Sequence, residues 1–380
     1  MRRIVLLAIF ATAACSSSGS SDPEDEQVRN VTVTFSSDAK VPALVEGKDY
    51  RVVTEYPYTI DGKTARHYGL LKSGVSYAKL SPPASEMPTP EHPVPAIPSD
   101  TLVSFDLKTG NVTLIAAHGT DTKPAFIVDA TRNDDFIVWV ETSDSTYESM
   151  RWEIFSHELK TGKTRKIGSS EELGVENPPI PTRRGIRPEL VGKSIYVVAV
   201  SAFDGSTVAS IATAIYGAPI DGSAGLTKIV DDADDVFADG KNLRFARDGE
   251  LKKWDLGKNK EVSSSVAPVD DPCGTFYNEG VLVQCDASGE VTITEKNGSQ
   301  TVIKDLPVPL ANFNATNRWV GFSTESQSYV YDLKRNRLGK LKGSSEFGID
   351  RFKGARLKYA KQHQDPPFDP TIPLIELLPK

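Results

Sequence analysis

Apolar and polar positions along this chain alternate in short runs, and the runs keep ending in the same polar turn. The pattern is clearest at Phe105-Asp106-Leu107-Lys108-Thr109-Gly110-Asn111-Val112-Thr113-Leu114-Ile115. There an apolar strand end meets a tight Lys-Thr-Gly turn, and a second strand follows. Runs of this length bounded by Gly, Asn and Asp predict strands.

Copies of the unit follow one another. Phe136-Ile137-Val138-Trp139-Val140 is apolar on both faces; Trp152 to Leu159, the turn Lys160-Thr161-Gly162 and Lys163 to Ile167 complete that copy. The third copy has Ile195 to Val200, Ala214 to Ile220 and Gly225 to Val230. A fourth has Leu243 to Ala246, Leu251 to Leu256 and the turn Gly257-Lys258-Asn259, and a fifth Gly280 to Cys285, Val291 to Glu295 and Gln300 to Ile303. The sixth has Arg318 to Phe322, Tyr329 to Leu333 and Arg337 to Leu341. A seventh begins at Gly348-Ile349-Asp350-Arg351-Phe352, continues through Ala355 to Ala360 and then dissolves into prolines.

Repeats of roughly 40–50 residues, each a set of short strands, predict a β-propeller. A pair of β-sandwiches would share the hairpins but not so even a period. Strands apolar on both faces suit blade interiors, and the polar strand after each turn suits a blade's outer edge, where charge discourages aggregation. The expected fold is therefore all-β: a propeller of four-stranded antiparallel sheets, seven blades in preference to six, spanning residues 28–380 as one domain. Closing the ring requires strands from the N-terminal segments Val31–Phe35 and Tyr50–Thr54, or from Pro373 to Leu378. Residues 81–100 carry seven prolines and read as a stiff, extended loop inserted within one repeat.

The unit "apolar strand, hairpin, aromatic-x-Asp-Leu-Lys-Thr-Gly-Lys, polar strand" resembles the TolB-type and WD40-like propellers of bacterial envelopes over most of residues 101–342. The Gly-His and Trp-Asp signatures of true WD40 repeats are missing. So is the indole-bearing turn of quinone-cofactor propellers, where Val112, Thr164 and Lys260 stand instead. The resemblance implies architecture and hardly constrains function.

The N-terminus adds location. Arg2 and Arg3 precede a short apolar run, Ile4 to Ala11, too short to span a bilayer as a mature helix and readable as an export signal over residues 1–14. Thr12-Ala13-Ala14-Cys15 resembles the lipobox of bacterial lipoproteins, with Thr12 where the family usually has an aliphatic residue. That resemblance implies acylation of Cys15. Residues 15–27, rich in Ser, Asp and Glu, have nothing apolar to bury and read as a tether to the membrane. Ser16 after Cys15 resembles the outer-membrane sorting signal of enteric bacteria.

Charge narrows the partners. The formal net charge is −7, and removing residues 1–14 takes away two arginines and no acid, leaving −9. That balance argues against nucleic acid as a partner, which selects basic surfaces. Beyond Cys15 only Cys273 and Cys285 remain, an even pair in a chain bound for an oxidising compartment. A hairpin through the three-residue loop Asn278-Glu279-Gly280 would set Tyr277 opposite Val281, Thr275 opposite Val283 and Cys273 opposite Cys285, near disulfide distance. The alternatives are two buried free thiols, or metal ligation, which lacks nearby histidines and a Cys-x-x-Cys spacing.

Other chemistry is sparse. The acids Asp231, Asp232, Asp234 and Asp235 lack calcium-loop spacing and read as turn acids. Arg183, Arg184 and Arg187 lie beside prolines and read as a surface loop. Histidines 67, 92, 118, 157 and 363 are scattered, and Asp286 to Thr292 has part of a sialidase Asp-box without its closing Trp. No catalytic residue, cofactor or metal is expected. The expected function is non-catalytic binding of a protein or glycan in the envelope. The alternative is a glycan hydrolase or lyase with carboxylates from several blades at the propeller funnel, and a purely structural envelope role is the third reading.

Overall fold

A computed structural model describes residues 28–35, 40–71, 74–82, 99–119, 124–143, 151–175, 178, 186–203, 211–262, 275–286, 288–307, 310–324, 327–342, 356–358 and 371–379. Three strands precede the repeats: β1 (Asn30–Thr34), β2 (Tyr50–Pro57) and the short β3 (Thr59–Ile60). The first blade is β4 (Lys63–Leu70), β5 (Val75–Ser81), β6 (Thr101–Asp106) and β7 (Val112–Ala116), with β3 alongside β4. Blade 2 is β8 (Phe126–Arg132), β9 (Phe136–Thr142), β10 (Trp152–Glu158) and β11 (Lys163–Ser169). Blade 3 is β12 (Glu189–Val191), β13 (Ser194–Ala202), β14 (Ala212–Pro219) and β15 (Thr227–Asp231). Blade 4 is β16 (Asp235–Asp239), β17 (Asn242–Arg247), β18 (Glu250–Asp255) and β19 (Lys260–Val262). Blade 5 is β20 (Phe276–Asn278), β21 (Val281–Cys285), β22 (Val291–Thr294) and β23 (Gln300–Lys304), and blade 6 is β24 (Ala311–Ala315), β25 (Trp319–Ser323), β26 (Ser328–Asp332) and β27 (Arg337–Lys340). In blade 7, β29 (Thr371–Leu377) pairs on one side with β28 (Arg356–Lys358) and on the other with the N-terminal β2. The first strands β8, β12, β16, β20 and β24 touch in succession around the axis. The chain is a seven-bladed β-propeller.

The apolar runs sit where two blades press together. Every residue of β21 and β25 is buried, as is most of β13. Val283 and Ile293 of blade 5 share a core with Phe322, Tyr329 and Tyr331 of blade 6. Blades 2 and 3 meet likewise through Val140 and Ile154 against Val197 and Ala214. A strand covered on both faces has no polar face to expose, so it reads as a continuous hydrophobic run.

The recurring turn has a common geometry. The N–H groups of Lys108 and Thr109 donate to Asp106 Oδ1, at 2.8 and 3.0 Å. Those of Lys258 and Lys334 donate to Asp255 and Asp332 in the same way. Four positions after each leading acid the backbone is left-handed, at Gly110 (φ 75°), Gly162 (68°), Asn259 (49°) and Asn336 (51°). Gly and Asn adopt that conformation at least cost. The repeated motif is thus the third-to-fourth-strand hairpin of each blade.

Three expectations need correction. The repeat does not begin at residue 101: β4 and β5 precede it, disguised because β4 carries Arg66 and His67 at its centre. His67 is nonetheless buried, bonded through Nδ1 to Ser76 Oγ and through Nε2 to the Pro57 carbonyl, both at 2.9 Å. Next, the N-terminal segments do not act together in closing the ring. β2 and β29 pair with each other, Tyr50 opposite Leu377, whereas β1 adds to the outer edge of blade 5, parallel to β23. Between them Ala43 bridges Lys340, so β1, Ala43 and β2 lie in turn on the outside of three successive blades.

The third correction is the β20–β21 hairpin. Phe276 faces Val283, Tyr277 faces Leu282 and Asn278 faces Val281, so the loop is two residues long. Glu279 (φ 47°) and Gly280 (φ 85°) are both left-handed, the mirror-image turn whose twist matches the flanking strands. The register expected to oppose the cysteines is therefore shifted by one. Cys285 is buried at the end of β21, and Cys273 lies outside the described residues.

Candidate functional site

Antiparallel order within each sheet divides the connections between the two ends of the ring. Links from a fourth strand to the next blade's first, and from a second strand to a third, lie at one end. First-to-second and third-to-fourth links lie at the other. At this second end the links are mostly short: residues 107–111, 159–162, 256–259 and 333–336 between third and fourth strands, and 192–193, 240–241 and 279–280 between first and second. At the first end lie the strand ends that flank the long stretches between strands, among them Ser81 and Thr101, Thr142 and Trp152, and Ala202 and Ala212. Long segments gathered at one end of a repeat scaffold mark its variable, loop-built face.

The axis carries a cavity of about 170 Å³ between blades 3 to 6. Its wall includes Arg187 and Glu189 at the start of β12, Asp235 and Phe237 on β16, Asn278 on β20 and Asn314 on β24. Arg187 Nε lies 3.4 Å from Asp129 Oδ2 on β8, which is 7% exposed. Asn278 Nδ2 donates to the Ala315 carbonyl at 2.8 Å, and the Tyr277 hydroxyl donates to Asp239 Oδ1 at 3.1 Å. Burial, then the neighbouring Asp239 carboxylate, push the Tyr277 phenol above its ordinary value. The wall therefore offers carboxylates, a guanidinium and amides beside an aromatic face.

Two buried polar clusters join blades 1 and 2 at the long-loop end. Asp100, 5% exposed, accepts from Ser81 Oγ (2.6 Å), Lys79 Nζ (3.1 Å) and the Ile127 N–H (2.8 Å). Lys79 Nζ also donates to the Ile127 carbonyl at 2.9 Å. Ser81 and Asp100 bracket the proline-rich loop, so their bond clamps its base. Nearby, Glu141, 6% exposed, accepts from Trp139 Nε1 at 2.6 Å and meets His118 Nδ1 at 3.0 Å, while the His118 ring lies against Phe155. The bond to Glu141 holds the His118 pKa above its ordinary value, against the opposing effect of burial.

The residues singled out in the sequence scatter. Cys15, Cys273, Arg183, Arg184, His92 and His363 lie outside the described residues. Of the arginine cluster, Arg187 is not a bystander of a surface loop but stands on the axial wall. The acidic run spans the step from blade 3 to blade 4. Arg247 donates to the carbonyls of Asp231 (2.7 Å) and Asp232 (3.0 Å), and Asp235 alone of the run lines the axial cavity. Among the described residues no group of three His, Cys, Asp or Glu is placed to hold a metal ion. Asp286 Oδ1 accepts from the N–H groups of Ser288 and Glu290 and from Ser288 Oγ, so the Asp-box fragment is a turn brace. Glu189, Asn278 and Asn314 were not picked out. Their first strands are as short as three residues, and only the alternation of Asp235-Val236-Phe237-Ala238-Asp239 carried a signal.

No family model and no curated protein matches the chain. Solved structures do. A chain of the mitotic checkpoint complex aligns over 99% of both chains at 8% identity with a TM-score of 0.50. BamB from Moraxella catarrhalis aligns over 86% of this chain and 100% of its own at 11% identity, TM-score 0.45. Oligogalacturonate lyase in complex with manganese aligns over 86% and 98% at 10% identity, TM-score 0.47. At such identities the likeness is one of fold. No helix among the described residues is long and apolar enough to cross a membrane.

Proposed function

We propose that this chain is a lipid-anchored bacterial envelope protein whose propeller binds a protein or glycan partner without catalysis. In this reading residues 1–14 are removed, acylated Cys15 and residues 16–27 tether the protein, and residues 28–380 form the binding domain. The observation that supports it is the one-sidedness of the ring: the strand ends that flank the long connections lie at one end, and tight hairpins close the other. That division is how repeat proteins separate a binding face from a structural one.

A second reading rests on the axial cavity. Glu189 and Asp235 are carboxylates on neighbouring first strands, the residue type with which glycan hydrolases work.

Photocrosslinking residues placed in the full chain within 82–100 and 203–211, and at Lys108 and Lys160 at the opposite end, test the binding face. Adducts from the first set alone are expected, and adducts confined to Lys108 and Lys160 overturn it. Detergent fractionation of wild type and Cys15→Ala tests the anchor. A membrane-bound wild type with a soluble or unprocessed variant is expected, whereas a freely soluble wild type removes the anchor. Release of saccharides from envelope glycan by the purified protein, abolished in Glu189→Gln or Asp235→Asn, would install the second reading in place of the first.

A further inference from the structure

The outer edges of the blades are not alike. β11 exposes Lys163 and Lys166, β15 carries Lys228 and Asp231, and β19 carries Lys260 and Glu261. The edge of blade 5 is covered by β1, that of blade 6 is bridged at Ala43, and β2 presents Arg51 and Glu55 on blade 7. Apart from β1 itself, an uncharged strand that becomes the outermost of blade 5, each is charged or occupied, the two usual ways of blunting a strand edge.

β7 on blade 1 is neither. Residues 111–117 carry no charge, Leu114 is 63% and Val112 37% exposed, and among the described residues β7 pairs only with β6. The chain itself shows what such an edge accepts. β1, with the sequence Asn30-Val31-Thr32-Val33-Thr34, adds to blade 5 as a fifth strand through backbone pairing. Five residues make an edge about 17 Å long. At roughly 10 Å wide it offers under about 200 Å² per partner, far below the ~800 Å² per partner of a stable interface. An edge of that size suits a single added strand rather than a lasting dimer of this chain.

We propose that β7 is a docking edge for an extended, uncharged segment of a partner protein, rich in β-branched residues, that adds to blade 1 as β1 adds to blade 5. The proposal concerns a surface on the outer wall and stands independently of the long-loop face.

The probe is a fluorescent peptide with the sequence of residues 30–35, its ends blocked so that it carries no charge, titrated by anisotropy into the full-length mature protein. Saturable binding is expected, weakened at least tenfold by Leu114→Lys and unchanged by Lys163→Ala on the charged β11 edge. Circular dichroism and melting confirm that both variants fold. Binding that survives Leu114→Lys, or no binding up to millimolar peptide, overturns the proposal. So does a wild type that sediments as a dimer and becomes monomeric on Leu114→Lys, since a second copy would then be the occupant.

Discussion

Replacing Asp100 by alanine should destabilise the propeller more than any single change at an exposed charge pair. The carboxylate is 5% exposed and binds three donors, and its partner Lys79 is itself only 16% exposed in its side chain. Truncation leaves the Lys79 ammonium next to the Ile127 carbonyl with no counter-charge and leaves the Ile127 N–H without its acceptor. Breaking a buried pair from one side costs about 3–5 kcal/mol, because the remaining charge stays desolvated. An unfolding entropy of about 2.1 cal/mol/K per residue, over roughly 350 residues, converts this to a fall in Tm of about 4–7 °C. Removing both charges, as Lys79→Met with Asp100→Ala, should cost less than the sum of the single changes, since no orphan ion remains. Differential scanning calorimetry on the four proteins of this double-mutant cycle gives the coupling directly. A Tm for Asp100→Ala within about 1 °C of wild type, roughly the precision of a good scan, would refute the claim that this pair staples blade 1 to blade 2. Strict additivity would refute it as well.

Three further outcomes are expected. The His118–Glu141 contact raises the folded-state pKa of His118, so its stabilisation is complete below the unfolded value of about 6.5 and fades as pH rises through the folded value. The Tm gap between wild type and Glu141→Gln should therefore narrow as the pH rises above the unfolded value of about 6.5; a gap that widens contradicts the assignment. Cys273 and Cys285 are proposed to form a disulfide worth on the order of 3 kcal/mol. Intact-mass analysis after alkylation should find neither labelled before reduction and both after it, and two labelled thiols at the outset would dismiss the bond. Gly110→Ala, at φ 75° with open space around the new Cβ, should cost about 1–2 kcal/mol through backbone strain alone. Gly110→Asn should recover much of that loss, as Asn259 and Asn336 occupy the equivalent turns, and equal melting of all three proteins would dismiss the turn argument.

The parts of the propeller that the sequence displays are those whose physics is local or doubly buried. Asp106, Asp255 and Asp332 bind turn N–H groups within three residues, so the motif must recur wherever the hairpin does. β21 and β25 are buried throughout, and apolar at every position but Gln284 and Ser323, because both faces are covered. Blade count and the outer strands followed from these two signals. The first strands obey neither rule: β12 and β20 are three residues long, and one of their faces looks onto the axis, where Glu189 and Asn278 are compatible with water. Their polarity blurs the strand pattern, and that same polarity makes them the cavity wall. The hairpin register failed for a related reason. One residue in left-handed geometry was assumed at Gly280, whereas Glu279 adopts it too, and a shift of one position moves every cross-strand partner. A turn motif repeated because every blade needs it carries no information about what the ring binds. That information resides where the copies differ: in the unequal lengths of the connections, in the axial wall, and in β7, which lacks the charges of the fourth strands of blades 2 to 6.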